Sequence, residues 1–173
     1  MPRNIEIKAR ARNLQQQTET AYRISDTPPK LIEQEDVFFH VPKGRLKLRI
    51  LAAASGELIL YHRPDQAAPK MSTYSIAPTN KPYQLKEVLE GAYGIKAVIR
   101  KTRELCTVGR TRIHLDHVEG LGDFLELETV LADNEQPEQA EQEAKRLMCE
   151  LGIKEADLIE GGYVDLLYGR APS

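Results

Sequence analysis

Only two cysteines occur in 173 residues, Cys106 and Cys149, and they lack CxxC spacing. That excludes a disulfide framework and leaves two packing thiols of the kind a reducing cytosol maintains. No apolar run approaches the ~20 residues a bilayer span requires, and residues 58–61 form one of the longest. Met1-Pro2-Arg3-Asn4 leads straight into charged sequence, without the apolar core of a signal peptide. Charge of one sign is also lacking: 24 basic and 26 acidic side chains leave a net −2. A general nucleic-acid binder is therefore not expected. Internal repeats, low-complexity tracts and linkers are absent too. The expectation is a single cytoplasmic domain, residues 1–173, with neither membrane nor nucleic acid as partner.

What the sequence does have is alternation. Residues 4–10, 44–51, 57–63, 70–76, 97–105, 110–118 and 124–131 read as short strands bounded by turn residues, and 36–41 as a further strand closed by Pro42. Helices are predicted over 14–24, 85–93 and 137–151, with a shorter one over 155–159. The 137–151 helix places Ala140, Ala144, Leu147, Met148 and Leu151 on one face, with Pro137 near its start and Gly152 past its end. Eight strands with a few helices predict an α+β, antiparallel, barrel-like domain.

Side chains at i, i+2 and i+4 of a strand share a side. Glu6 and Lys8 share one face, as do Arg45, Lys47 and Arg49; Lys101 and Arg103; Arg112, His114 and Asp116; and Glu126 and Glu128. The ordinary reading is an amphipathic sheet with a solvated charged side. Two features count against it: these positions are almost uniformly ionic, and they are segregated by strand into cationic and anionic sets.

If the faces converge inside a barrel, Lys8, Arg45, Lys47, Arg49, Arg63, Lys101, Arg103 and Arg112 meet Glu6, Asp116, Glu126 and Glu128, an excess of four positive charges. Unpaired buried ions are costly, so such an interior must hold water and an anion. A triphosphate has the required charge. The carboxylates suit Mg²⁺ or Mn²⁺ bridging to phosphate oxygens, the combination that stabilises phosphoryl transfer.

Those residues resemble a known family. Asn4-Ile-Glu6-Ile-Lys8 resembles the N-terminal ExExK signature of the CYTH domain, and TRIHLDHVEGLGDFLELE, residues 111–128, resembles its C-terminal signature. RLKLR at 45–49, YHRPD at 61–65 and GGYVDLL at 161–167 are similar to segments of the CyaB-like, class IV adenylate cyclase branch. The resemblance implies the triphosphate tunnel metalloenzyme fold, an eight-stranded antiparallel β-barrel open through its centre with helices outside, and metal-dependent cleavage or cyclisation of a triphosphate. It implies Glu6, Glu126 and Glu128 as metal ligands, with Glu6, Asp116 and Glu128 at the chemistry. Lys8, Arg45, Lys47, Arg49, Arg63, Lys101, Arg103 and Arg112 become the triphosphate cradle. Asn4 stands where the signature has its first Glu, and Ser72 where many relatives carry a Glu. His62 and Arg63 compete for the cationic place before Pro64.

Three functions stay open: hydrolysis of inorganic tripolyphosphate or of a nucleoside or thiamine triphosphate; cyclisation of ATP to cyclic AMP and pyrophosphate; and binding without turnover. Monomer and homodimer are both open. Gly120-Leu121-Gly122-Asp123 reads as a hairpin turn rather than a phosphate loop. Arg100-Lys101-Thr102-Arg103 is too short and lacks the aromatics of a nucleic-acid patch. The histidines lack metal-site spacing, although His114 shares the inward parity of Arg112 and Asp116. For Tyr163, Asp165 and Tyr168 three roles stay open: closing a tunnel mouth, contacting a base, or packing.

Overall fold

Alternation closes into a barrel. A computed structural model describes residues 1–169, with strands β1 (Arg3–Arg10), β2 (Lys30–Phe39), β3 (Arg45–Ala52), β4 (Ser55–His62), β5 (Lys70–Thr79), β6 (Ile95–Val108), β7 (Thr111–Val118) and β8 (Gly122–Val130). They pair antiparallel in the closed order β1-β5-β4-β3-β2-β6-β7-β8. No edge strand remains to template aggregation. The helices are α1 (Leu14–Ile24), α2 (Pro82–Tyr93), α3 (Pro137–Glu150) and α4 (Tyr163–Tyr168).

The packing is inside out, with the apolar faces turned away from the barrel axis. Ile5, Ile7, Ala9, Ile113, Leu115, Leu125 and Leu127 form the main core with Ala140, Ala144, Leu147 and Leu151 of α3. The predicted α3 stripe is this buried face, with Met148 at its margin. Val37, Phe39, Leu48 and Ile50 pack with Leu89 of α2 in a second cluster. Arg110 locks α3 to the β6–β7 turn through paired hydrogen bonds to Glu135 and Glu143.

Most sequence-predicted boundaries lie within two or three residues of those observed. β2 is the largest difference: it starts at Lys30 rather than residue 36 and ends at Phe39. The helix predicted over 155–159 is a single 3₁₀ turn, Glu155–Asp157. α2 begins at Pro82, whose fixed φ and missing N–H suit the first helical turn. The β7–β8 connection is the expected hairpin, with Gly120 at φ 78° and Gly122 at φ 101°, conformations other residues adopt only with strain. Cys106 and Cys149 are both free. Among the described residues no helix is long and apolar enough to cross a membrane.

Candidate functional site

The barrel register sets the inner charges into ladders. Glu6 of β1 lies opposite Glu128 of β8, which lies opposite Arg112 of β7. One step along, Lys8 lies opposite Glu126, which lies opposite His114. Parity sends all of these side chains inward, because Ile5, Ile7, Ile113 and Leu127 belong to the outer core. The resulting tunnel is lined by Glu6, Lys8, Asp36, Arg45, Lys47, Arg49, Arg63, Lys101, Arg103, Arg112, Glu126 and Glu128, so eleven of the twelve predicted interior charges line it.

Asp116 is the exception. It is buried to 1% exposure behind the tunnel wall. Its Oδ1 and Oδ2 accept from Arg103 Nε and Nη2, each at 2.7 Å, and Oδ2 also accepts from Lys101 Nζ at 3.2 Å and the Tyr163 hydroxyl at 2.8 Å. Although burial opposes its charge, Arg103 and Lys101 hold the carboxyl well below the usual range. Both oxygens are committed to these donors, and in this structure Asp116 anchors cations.

Asp36, on the unread part of the pattern, does the same on the other wall. Its Oδ1 and Oδ2 accept from Arg49 Nε at 2.9 Å and Nη2 at 3.0 Å, and Lys47 Nζ lies 3.4 Å from Oδ2. Burial resists the charge, but Arg49 and Lys47 hold the carboxyl far down. Each aspartate thus fixes one arginine bidentately and one lysine beside it, so the cations are pre-positioned along the tunnel. Burial, reinforced by the neighbouring arginine, lowers Lys101 to about 7 and Lys47 to about 8. Burial also lowers Lys8, whose ammonium stands 4.0 Å over the Tyr163 ring.

The glutamates meet cations as well. Arg63 Nη1 donates to Glu6 at 3.3 Å, Lys8 lies 3.7 Å from Glu126, and Arg103 Nη2 donates to Glu126 at 3.3 Å. Arg112 donates twice to Glu128 Oε2. Arg63, not His62, takes the inward place; its side chain is 4% exposed and packs so closely on Gly162 that a Cβ there would meet Nη2 at 2.9 Å. Arg45 and Arg112 are partly exposed, at 29% and 40%, and Arg45 pairs with Asp65.

Tyr163, at the start of α4, reaches back into the barrel end and packs against Phe124, Ile99, Val118 and Ile159. There it is buried, and it also lines the tunnel cavity. Tyr168, by contrast, is exposed and donates to the Val98 carbonyl. Lys70, unread in the sequence, is buried opposite Glu6 and donates to the Gln66 carbonyl. Burial, with Arg63 and Lys8, lowers it to about 8. With Lys96 and Asp165, which also line the cavity, nine basic side chains face five carboxylates, an excess of four.

The CYTH domain model matches residues 2–163. The chain belongs to the CYTH domain family. Its barrel superposes on the PH1012 protein of Pyrococcus horikoshii at TM-score 0.83, with 23% identity, covering 95% of this chain and 99% of that one. A Pyrococcus furiosus protein of unassigned function gives TM-score 0.80 and 26% identity, covering 94% and 99%. A Hippeastrum protein, described as a candidate adenylyl cyclase with a dominant triphosphatase activity, gives 0.64 and 18%, covering 87% and 88%. No curated protein matches the sequence significantly.

The CYTH family implies a divalent metal, and the donor set fits one. Single ligand atoms of His114, Glu126 and Glu128 lie within 4.8 Å of one another. Burial first, then Glu128 and Glu126, raise the Glu6 carboxyl despite Arg63 and Lys8. Although burial opposes its charge, Lys8 and Arg103 hold the Glu126 carboxyl well below its ordinary value, so it offers ionised oxygens. Burial lowers His114 to about 3, with Arg103 adding to it, so its imidazole is neutral.

Proposed function

We propose that this CYTH protein hydrolyses a triphosphate in a divalent-metal-dependent reaction inside the barrel. The observation that carries the reading is the division of labour in one tunnel. Two aspartates fix Arg49, Lys47, Arg103 and Lys101 along the walls, while Glu6, Glu126 and Glu128 share one side, where Arg63, Lys8, Arg103 and Arg112 meet them. The fixed cations hold the phosphate chain extended, and Lys8, Arg63 and Arg112 exchange carboxylate partners for phosphate oxygens as the substrate enters. Arg45, partly exposed, receives it.

Glu6, Glu126 and Glu128 would hold Mg²⁺ or Mn²⁺, which when bound neutralises phosphate charge and makes water a better nucleophile. Water adds at the terminal phosphorus, and the bridging P–O bond breaks. The products are orthophosphate and the shortened chain, with the water proton passing to a carboxylate or to solvent. Preformed donors around the phosphoryl oxygens stabilise the charge that develops.

Cyclisation of ATP is the second reading. Phe38, Ile59, Tyr61, Tyr74 and Ile76 line the same cavity and offer an apolar, aromatic surface to a nucleoside. In that case the 3′-hydroxyl attacks the α-phosphorus and pyrophosphate leaves.

Product analysis by ion-exchange chromatography separates the two. The protein is incubated with Mg²⁺ or Mn²⁺ and, in turn, tripolyphosphate, ATP and thiamine triphosphate. Orthophosphate with the shortened chain is the expected result. Cyclic AMP with pyrophosphate would establish the cyclase, and binding without product would leave a non-catalytic module.

A further inference from the structure

One polar group beside the tunnel's glutamates has no work in the scheme above. His114 is 4% exposed, sits opposite Glu126 in the β7–β8 register, and points inward with Arg112 and Asp116. Its Nδ1 is buried without a hydrogen-bond partner. An unpaired buried polar atom costs about 1–3 kcal/mol, and histidines that serve only as packing normally have such atoms satisfied. The neighbouring anchor does not relieve it: Asp116, two residues on, spends both oxygens on Arg103, Lys101 and Tyr163.

We propose that His114 is a nitrogen ligand of the metal site, joining Glu126 and Glu128, and that it biases the site toward a first-row transition dication over Mg²⁺. The geometry is that one ring nitrogen and one oxygen from each glutamate already fall within 4.8 Å of one another, a spread one ion can bridge. The chemistry is ligand softness. Mg²⁺ takes oxygen ligands and keeps much of its water, whereas imidazole favours the transition dications. A histidine between two glutamates therefore discriminates between ions that an all-carboxylate site would treat more alike. The inference rests on these glutamates being the metal side of the tunnel.

Pulsed EPR on Mn²⁺ bound to protein labelled with [¹⁵N]histidine tests it, at substoichiometric metal, with and without inorganic tripolyphosphate. The expected result is direct ¹⁵N coupling to bound Mn²⁺, lost in His114→Gln and kept in His40→Gln. Bound Mn²⁺ with no histidine coupling overturns the His114 assignment and leaves the proposed function standing; no protein-bound Mn²⁺ under either condition overturns both. The labelled wild-type protein decides the matter even if His114→Gln fails to fold. Where that variant folds, its Mn²⁺ dissociation constant rises at least about tenfold, the loss that even an outer partner of a metal ligand causes. Its Mg²⁺ constant changes much less. Equal weakening for the two ions would overturn the proposed selectivity.

Discussion

Glu6 and Glu128 face each other directly across the β1–β8 pair, two carboxylates pointing into one tunnel. Like charges in that relationship destabilise a sheet, and Glu6 carries the strain. Its carboxyl is raised by burial and by Glu128 and Glu126. Between its ordinary and raised values the folded state binds the extra proton, so stability from this group is full at low pH and lost as pH rises through the folded value. Glu6→Gln removes that loss. It should melt no lower than wild type at pH 7 while losing metal-dependent turnover by at least about 100-fold, the upper end of what losing an outer metal partner costs. Thermal melts and phosphate release check both halves.

Asp36 predicts the opposite balance. Asp36→Asn strips Arg49 and Lys47 of the charge that holds them, and breaking a buried ion pair costs on the order of 3–5 kcal/mol. Urea denaturation should show that loss. Saturating tripolyphosphate should restore part of it, because a ligand that binds only the native state stabilises it.

Proton uptake should accompany binding. Lys101 at about 7 and Lys47 at about 8 sit below the ordinary lysine value of 10.5. The unfolded chain binds more protons across that window, so their contribution to the stability of the empty protein rises with pH above about 7. A phosphate chain between them favours the ammonium forms. Affinity for tripolyphosphate should therefore fall from pH 7 to pH 9, and the binding heat at pH 8 should depend on the buffer's ionisation enthalpy. A heat independent of buffer would contradict this.

Outside the barrel the prediction is purely structural. Leu147 of α3 is 1% exposed in the main core, and Leu147→Ala should cost about 2–5 kcal/mol. Turnover per folded molecule should change little, since Leu147 packs in the core outside the barrel and does not line the tunnel.

The sequence was most legible where one face of a strand is uniformly ionic and the other uniformly apolar. Lys47 and Arg49 alternate with Leu46, Leu48 and Ile50, and Glu126 and Glu128 with Leu125 and Leu127, so parity put them on one face and their ionic uniformity argued for an interior one. β2 hid Asp36 because both of its faces are polar there: Glu35 points out to Arg100 and Lys86, next to the inward Gln34 and Asp36. Parity also separates His62 from Arg63 once Ile59 and Tyr61 are known to face inward. Asp116 shares the period of the catalytic candidates, and only the tertiary position of Arg103 and Tyr163 shows that it is an anchor. The contact of Tyr163 with Asp116 spans 47 residues, a separation no local pattern encodes.

The central claim is that the cationic walls hold a triphosphate while the glutamates carry its cleavage. Orthophosphate release from tripolyphosphate with Mn²⁺, measured beside calorimetric binding in wild type and Glu128→Gln, tests it most directly. The account predicts release by the wild type, and binding without release by the variant. Undiminished release by Glu128→Gln would contradict it.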